Sequence, residues 1–366
     1  MTILAIIILV GSFALSVFLT YLAKLFAMRT GFVSKPTSER FATRVVPLGG
    51  GIAIFANLAI VLLGAMAIVT FLAAPGRLNW LGESVTVHTS GFLSKTGKIT
   101  IILLLALVLF LLGLWDDKKR LGPYLKLAVQ AAVAVSAAWF ANIRVELFIE
   151  SRIVAVLLSA IWIIVIINAF NFLDNMDGLS AGIAVITSSI LFVAAATNGQ
   201  VFIGALALVF IGTLLGFLVF NFPPARIFMG DAGSLVVGFF VALLTLRTTY
   251  YNQAQSQQWY PVFVPLVVMA VPLYDFISVT ILRICQGKSP FVGDTQHFSH
   301  RMKKRGLSDT QTILTLYLAT LCTALSATFL YQVNSAGAVL IFVQTVMVLL
   351  IIAIFETTAG NGKNFR

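Results

Sequence analysis

The chain contains 366 residues, of which 60% are hydrophobic and only 10% are charged, and its formal net charge is +11. Globular domains carry about 25% charged residues, so this composition excludes an ordinary water-soluble protein and indicates an integral membrane protein. The two cysteines, Cys285 and Cys322, lie in or beside apolar segments and provide neither a disulfide framework nor the spacing of a zinc site.

Apolar segments long enough to cross a bilayer recur along the whole chain. A spanning helix needs about 20 mostly apolar residues. This criterion predicts eleven spans, with ten as the alternative count because 98–114 and 232–247 are short. The predicted fold is an all-α integral membrane protein that forms a single polytopic domain over residues 1–366. The predicted spans are 3–25, 47–72, 98–114, 123–141, 153–170, 179–196, 200–221, 232–247, 260–282, 312–332 and 335–355.

Lysine and arginine are concentrated on one side of this predicted topology. Loops with an excess of basic residues usually stay in the cytoplasm, so the distribution predicts an N-terminus outside the cell and a cytoplasmic C-terminus. We expect the loops on the cytoplasmic side to form the active site. These loops are 26–46, 115–122, 171–178, 222–231 and 283–311.

All eight aspartates fall on or near the predicted cytoplasmic face. A carboxylate inside a membrane helix costs about 2.5–3.5 kcal/mol and usually faces a cavity or a partner, and Asp275 lies close enough to the membrane for this argument to apply. Asp294 and Asp309 are equally well explained as turn or capping residues. We nevertheless expect at least three aspartates to share one site. The eight are Asp116, Asp117, Asp174, Asp177, Asp231, Asp275, Asp294 and Asp309.

The segment LLGLWDDKKRLGPYLKLAVQ (111–130) joins the third and fourth predicted spans. Asp116 and Asp117 are adjacent, so on a helix their side chains point in different directions and need not share one role. Lys126 and Gln130 are four residues apart and lie on one helical face, directed back toward this loop, where a cation suits an anionic substrate. A charged helix end with local aspartate–lysine pairing is the alternative.

The segment NAFNFLDNMDGLSAG ends the fifth predicted span with Asn168, Asn171, Asp174 and Asp177 at a spacing of three. Each step of three rotates by about −60° on a helix, so Asn168 and Asp177 would lie on opposite faces. Either the helix breaks near Gly178, or only neighbours such as Asn171 and Asp174 converge. Amide and carboxylate oxygens are ligands that Mg²⁺ prefers. Asn168 is also explained as a hydrogen-bonding residue at a helix end.

The segment NFPPARIFMGDAGSLVVGF precedes the eighth predicted span. Gly230 and Gly233 flank Asp231, and such small residues let the backbone approach a ligand closely. A helix beginning at Ala232–Gly233 would direct its N–H groups and its positive end toward a bound phosphate. A tight turn capped by Asp231 and Ser234 is the alternative.

His297 and His300, in GDTQHFSHRMKKRGLSD, lie three residues apart in a long basic loop. Loops of this length are usually functional or disordered. Two histidines are a weak metal signal, and a general acid–base role or phosphate binding is equally consistent with them. The basic residues at 301–305 are also explained by membrane anchoring on the cytoplasmic side.

Four motifs in this order, LGLWDDKKRL, NAFNFLDNMDGLSAG, FMGDAGS and DTQHFSHR, resemble those of the polyprenyl-phosphate N-acetylhexosamine-1-phosphate transferases (glycosyltransferase family 4). The histidine motif and the KKRGLS that follows it are most similar to the undecaprenyl-phosphate GlcNAc-1-phosphate transferase branch. The resemblance implies transfer of GlcNAc 1-phosphate from a UDP-sugar to undecaprenyl phosphate, with release of UMP. This reaction would be the first membrane step of cell-envelope polysaccharide synthesis, on the cytoplasmic face of a bacterial inner membrane.

The resemblance also implies a cofactor and roles for individual residues. Mg²⁺ would be required, with Mn²⁺ as a substitute, and its ligands would be Asn171 and Asp231. Asp116 would deprotonate or position the lipid phosphate, and Asp117 would assist at the metal or the nucleotide. The remaining implied roles are catalytic for Asp174, Asp177, His297 and His300 and substrate-binding for Lys126, Asn168, Gly230 and Arg301.

Four positions depart from the pattern of the family, so the resemblance does not determine which sugar is transferred. Ser34 replaces a usual aspartate, Ala42 stands near a usual histidine, Asn175 replaces a common glycine and Ser299 replaces a second histidine. The phospho-MurNAc-pentapeptide transferase of peptidoglycan synthesis is therefore one alternative. A proton-coupled secondary transporter is another, and it would need inverted repeats and acids near the bilayer centre. The expected partners are a UDP-N-acetylhexosamine, undecaprenyl phosphate and the lipid bilayer, without nucleic acid, and a homodimer is compatible with the sequence.

Overall fold

The computed structural model describes residues 2–34, 45–77, 87–145, 149–248, 259–289 and 297–357. Within these ranges, ten helices are long and apolar enough to cross a membrane, and Tyr260–Val268 with Ala270–Cys285 forms a further segment bent by 65°. The predicted all-α membrane fold is thus confirmed, with the ninth predicted span bent rather than straight. Ala42 and Asp294 lie outside the described residues. The orientation of the termini stays a prediction.

The helices are numbered in chain order, and a short hairpin follows the first of them. Strands β1 (Val33–Ser34) and β2 (Val46–Pro47) pair antiparallel, with Val33 opposite Pro47. The α-helices are α1 (Thr2–Thr30), α2 (Gly50–Ile68), α3 (Thr89–Leu93), α4 (Thr96–Lys118), α5 (Pro123–Phe140), α6 (Arg152–Leu173), α7 (Leu179–Thr197), α8 (Val201–Asn221), α9 (Gly230–Arg247), α10 (Val264–Val268), α11 (Ala270–Cys285), α12 (Phe298–Lys304), α13 (Asp309–Thr328) and α14 (Ser335–Thr357). A π-helical turn at Val69–Ala73 extends α2, and 3₁₀ turns lie at Tyr260–Phe263 and Phe329–Tyr331.

Helix α9 lies at the centre of the fold. Within the protein, 83% of its spanning segment is buried, against 11% for α1 and 22% for α14, because α2, α4, α6 and α7 pack around it. The close approach of α4 depends on Gly113, where an added Cβ would lie 2.4 Å from backbone atoms of Asp231 and Ala232. This contact places the C-terminal end of α4, with its two aspartates, beside the first turn of α9.

Several helices continue into segments that the apolar runs predict as loops. Helix α4 includes Asp116 and Asp117, α6 includes Asn171, and α9 includes Gly230 and Asp231. The polar side chains have partners inside the protein, described below, so each helix continues past the end of its apolar run. The predicted loops corrected in this way are 115–122, 171–178 and 222–231.

A buried polar cluster joins α1 to the rest of the bundle. The side-chain amide of Asn57, on α2, donates to Ser12 Oγ at 2.9 Å and to Thr213 Oγ1 at 2.6 Å. The hydroxyl of Ser12 in turn donates to the carbonyl of Val209 on α8 at 2.7 Å. Side-chain hydrogen bonds of this kind between membrane helices hold them together where the hydrophobic effect gives little preference.

Candidate active site

Three charged side chains from three helices meet at one end of the bundle. The ammonium group of Lys126, on α5, contacts Asp116 Oδ2 of α4 at 2.8 Å and also contacts Asp231 Oδ2 of α9. The side chains of Lys126, Asp116 and Asp231 are only 19%, 15% and 18% exposed. We refer to these three residues as the cation cluster. Two carboxylates distant in sequence thus converge on one cation, which confirms that Lys126 faces back toward the loop after Asp116 and Asp117.

Asp117 faces the first turn of α9 instead of the cation cluster. Its carboxylate accepts the backbone N–H of Asp231 at 2.9 Å and that of Ala232 at 3.1 Å. The adjacent Asp116 points elsewhere, as predicted, and its Oδ1 accepts the N–H of Leu121 at 2.6 Å. Together, Asp116, Asp117 and Asp231 confirm that three aspartates share one site.

The predicted start of α9 is wrong, and so is the expectation that its N–H groups are open to a phosphate. The helix begins at Gly230, and Asp117 supplies the negative charge at its positive end. Gly230 has a φ of +71°, and an added Cβ would lie 2.6 Å from Asp117 Oδ2. Its small size is therefore explained by the approach of Asp117, and its role in substrate binding stays a prediction.

Asn171 and Asn168 lie one turn apart on α6 and have different partners. The Asn171 side chain lies beside the carboxylate of Asp231, and its Nδ2 donates to Ser234 Oγ at 2.9 Å. The expected meeting of Asn171 with Asp231 is confirmed, while its role as a metal ligand stays a prediction. Asn168 Nδ2 donates to Gln130 Oε1 at 2.6 Å, which places Asn168 between α5 and α6 as a helix-end hydrogen-bonding residue.

Helix α6 breaks before Gly178, as one of the two predicted alternatives requires. Asp174 caps its C-terminal end, and Gly178 adopts a φ of +72°. Asp177 Oδ2 accepts the N–H of Ala225 at 2.9 Å and so holds the segment that precedes α9. Burial raises the pKa of Asp177 above its usual value. The nucleotide-side roles of Asp174 and Asp177 stay predictions.

A second group of functional candidates lies on the short helix α12. His297 Nδ1 lies 2.9 Å from Asp275 Oδ2, and Asp275 Oδ1 accepts the N–H of Phe298 at 3.0 Å. Asp275 is fully buried. It both orients the imidazole and caps α12, which confirms that this acid near the membrane has a partner. The arrangement directs His297 Nε2 away from Asp275.

Helix α12 packs against the end of α6. Ser299 Oγ donates to Asn175 Oδ1 at 2.6 Å, and the His297 ring meets Phe172 edge-on with centroids 5.3 Å apart. His300 is buried, and burial together with the neighbouring His297 lowers its pKa to about 4, so it is neutral at pH 7. Phe172 follows directly after the asparagine that contacts Asp231, so the cation cluster and α12 flank the same helix end.

Arg301 is fixed by two side chains that the sequence did not assign to the site. One guanidinium nitrogen donates to Ser278 Oγ at 3.0 Å and lies 3.1 Å from Glu356 Oε2. Glu356 ends the last span, and its only sequence signal is an acid at the end of a long apolar run. Asp275 carried a different signal, because it lies inside the predicted span 260–282 instead of at its end.

The donor set of the cation cluster fits a magnesium ion. In the part of the chain that the structure describes, no three His, Cys, Asp or Glu side chains form a ready-made metal cage. Mg²⁺ is usually held by one or two carboxylates together with substrate phosphates, so such a cage is not required. Asp231 and Asp116 provide hard oxygen donors, and the ammonium of Lys126 shows that the space between the two carboxylates holds a positive charge.

An apolar groove of about 400 Å³ lies between α4 and α5, and its lining begins two residues after Lys126. Leu105 and Val108 line one wall, and Ala128, Val129, Ala132, Val133 and Ser136 line the other. The groove thus lies on the same two helices, α4 and α5, that carry Asp116 and Lys126. These features define a polytopic membrane protein with a charged cluster at one end of its helix bundle.

The comparisons with known proteins identify the family. Residues 99–249, which contain the whole cation cluster, match the family model described as glycosyl transferase family 4. The chain is 30% identical over 357 residues to a probable undecaprenyl-phosphate N-acetylglucosaminyl 1-phosphate transferase of Bacillus subtilis, covering 95% of this chain and 90% of that protein. The protein therefore belongs to glycosyl transferase family 4.

Two further relatives carry related names. A decaprenyl-phosphate N-acetylglucosaminephosphotransferase of Mycobacterium leprae is 28% identical over 350 residues, which cover 88% of this chain and 83% of the relative. The undecaprenyl-phosphate alpha-N-acetylglucosaminyl 1-phosphate transferase of Escherichia coli K12 is 26% identical over 325 residues, which cover 85% and 80%. Membership of this family confirms the resemblance and leaves no support for a secondary transporter.

Proposed function

We propose that this protein transfers GlcNAc 1-phosphate from UDP-GlcNAc to undecaprenyl phosphate and releases UMP. The observation that carries the proposal is the cation cluster of Asp116, Lys126 and Asp231, which lies within the segment matched to the family. The names of the relatives support both the sugar and the polyprenyl acceptor. The groove beside Lys126 suits the lipid chain of such an acceptor.

The net reaction exchanges one phosphoanhydride for another. An oxygen of the lipid phosphate becomes bonded to the β-phosphorus of UDP-GlcNAc, and the bond from that phosphorus to the bridging oxygen breaks, so UMP leaves. Catalysis of such transfers is mostly positioning and neutralisation of charge. In our proposal, Lys126 neutralises the acceptor phosphate, Asp116 positions it, and His297 and Arg301 bind the pyrophosphate of the sugar nucleotide.

Asp231, with Asn171 and Asp116 beside it, would hold a magnesium ion, and manganese would be a substitute. When bound, the ion supplies positive charge to the phosphate oxygens of the sugar nucleotide. Asp117 holds the first turn of α9 and thereby keeps Asp231 beside Asn171 and Lys126. Asp117 would thus fix the position of the ion through Asp231, and Lys126 would add positive charge beside it.

We also propose that the active site faces the cytoplasm at the inner membrane of a bacterium. The basic residues concentrated on the motif-bearing side of the predicted topology support this orientation. The relatives named above are bacterial, and UDP-sugars are soluble substrates that would reach the site from the cytoplasm. A cysteine introduced next to the cation cluster, for example Arg120→Cys in a variant whose exposed Cys285 and Cys322 are replaced by serine, should react with a membrane-impermeant maleimide only in inverted vesicles. Labelling in intact cells would overturn the orientation.

The reaction is tested with the purified protein in liposomes that contain undecaprenyl phosphate. With Mg²⁺ and labelled UDP-GlcNAc, we expect a lipid-linked sugar and UMP in equal amounts, and no product after chelation with EDTA. Parallel reactions with UDP-GalNAc, UDP-FucNAc and UDP-MurNAc-pentapeptide test which sugar phosphate the protein transfers. Product from UDP-MurNAc-pentapeptide alone would favour the muramyl alternative, and no product from any of the four would refute the proposed function.

A further inference from the structure

The last span ends in a buried carboxylate that contacts three residues of the α11–α12 region. Glu356 is only 4% exposed. Its Oε1 accepts the hydroxyl of Tyr274 at 2.5 Å, its Oε2 lies 3.1 Å from the guanidinium of Arg301, and its backbone carbonyl accepts Arg305 at 3.1 Å. Of the two glutamates in the described ranges, Glu150 is exposed, so burial distinguishes Glu356.

A buried carboxylate is costly unless it is paired and hydrogen-bonded. Glu356 meets this condition with one charged partner and one hydroxyl donor. An apolar residue at the same place would leave Arg301 without its charged partner. The pairing therefore serves the position of Arg301 more than the stability of the last span, because membrane insertion of α14 needs no carboxylate.

Helix α12 depends on such contacts because it has only seven residues. Isolated helices shorter than about 12 residues are marginal in water, so the orientation of α12 comes from its neighbours. Asp275 holds the N-terminal end through His297 and Phe298, and Glu356 holds the other end through Arg301 and Arg305. Two buried acids on different spans thus determine where the basic side chains of α12 point.

We propose that Glu356 is a positioning residue that fixes Arg301 for the pyrophosphate of the sugar nucleotide. The inference rests on the proposed function, in which Arg301 binds that group. Glu356 sits at the end of the last span and acts through Arg301, so its loss should weaken binding of the sugar nucleotide and leave binding of the lipid acceptor unchanged.

The test compares wild type with Glu356→Gln in proteoliposomes. Glutamine keeps the size of the side chain and an oxygen for Tyr274 but removes the charge opposite Arg301. We expect KM for UDP-GlcNAc to rise about tenfold, as for loss of one partner of a buried ion pair, with KM for undecaprenyl phosphate within about twofold of wild type. Thr345→Val, which removes a buried hydroxyl on the same helix away from α12, is the matched control and should leave both KM values unchanged.

A double-mutant cycle shows whether Glu356 acts through Arg301. The Glu356→Gln/Arg301→Gln double variant should be no worse than Arg301→Gln alone. If the effects of Glu356→Gln and Arg301→Gln on KM multiply in the double variant, or if kcat falls while both KM values stay unchanged, the inference is overturned. Glu356 would then only hold the structure together. If Glu356→Gln does not fold, Tyr274→Phe, which removes only the hydroxyl donor, should raise the same KM by about two- to threefold, and no change would overturn the inference. An inactive wild type would instead refute the proposed function.

Discussion

The contact between Asp117 and the first turn of α9 indicates that Asp117 positions Asp231 and does not act on the substrate directly. Asp117→Asn replaces one charged acceptor by an amide that meets a backbone N–H. A hydrogen bond to a charged group contributes about 1.5–3 kcal/mol and a negative charge at a helix N-terminus about 0.3–1 kcal/mol. The start of α9 should therefore lose about 2–4 kcal/mol of stability.

This loss of stability should also lower the reaction rate, because it displaces Asp231, whose N–H is one of the two donors to Asp117. Each 1.36 kcal/mol changes a rate about tenfold, so half of the loss, expressed as displacement of Asp231, lowers kcat by about 5- to 30-fold. The assay combines turnover of UDP-GlcNAc in liposomes with thermal unfolding in detergent. Both kcat and the unfolding temperature should fall.

Gly230→Ala provides the matched variant, because its added Cβ would lie 2.6 Å from Asp117 Oδ2. It should reproduce the phenotype of Asp117→Asn, and the double variant should lose less than the sum of the two single losses because both disturb one contact. If Asp117→Asn abolished turnover while the unfolding temperature stayed at that of wild type, Asp117 would act on the substrate and the positioning argument would fail.

Four further predictions follow from contacts described above. Lys126→Met leaves two carboxylates facing each other without their cation and should lower kcat by at least about 100-fold, as measured in the liposome assay. Ser299→Ala and Asn175→Ala each remove one end of the same hydrogen bond and should lower kcat by about three- to tenfold, with no further loss in the double variant. Asn57→Leu should lower the unfolding temperature in detergent but leave kcat within about twofold of wild type, since interhelical hydrogen bonds contribute about 0.6–2 kcal/mol. The buried His300 has a pKa of about 4 in the folded protein and about 6.5 in the unfolded chain. The unfolded chain therefore takes up this proton first as the pH falls, and the folded state loses stability between pH 6.5 and pH 4. His300→Gln should reduce the drop in unfolding temperature between pH 7 and pH 5.

Each of these predictions has an outcome that contradicts it. Wild-type turnover by Lys126→Met would remove the cation cluster from the mechanism. Additive losses at Ser299 and Asn175 would mean that the two side chains act separately. An unchanged unfolding temperature for Asn57→Leu would show that the polar cluster holds no helices together, and an unchanged acid sensitivity for His300→Gln would assign that sensitivity to other groups.

The sequence predicts those features that depend on local patterns. Apolar runs give the spans, because each crossing needs an unbroken length of hydrophobic residues. The divergence of Asp116 from Asp117 and the break before Gly178 follow from helical rotation alone. The meeting of Asn171 with Asp231 was expected from the resemblance to the family, which implies that both side chains hold one metal ion.

The missed features are contacts between segments distant in the chain. Asp117 caps the start of α9 although it lies 114 residues earlier in the chain, and no local sequence pattern predicts that contact. The carboxylates lie inside helix ends because partners on other helices replace water, so hydropathy predicts helices that are too short. The ion pair of Glu356 with Arg301 joins the last span to α12, and Glu356 stands outside every recognisable motif.

The unequal burial of the spans gives the two halves of the site different exposure to the bilayer. Asp231 stands on α9, whose spanning segment is 83% enclosed by protein, whereas Glu356 stands on α14, of which only 22% is enclosed. A change in membrane thickness tilts the helices that contact lipid and acts weakly on those that do not. If Arg301 binds the sugar nucleotide as proposed, lipid composition should therefore act on that affinity through α14 and Glu356, while Asp231 is shielded from the lipid.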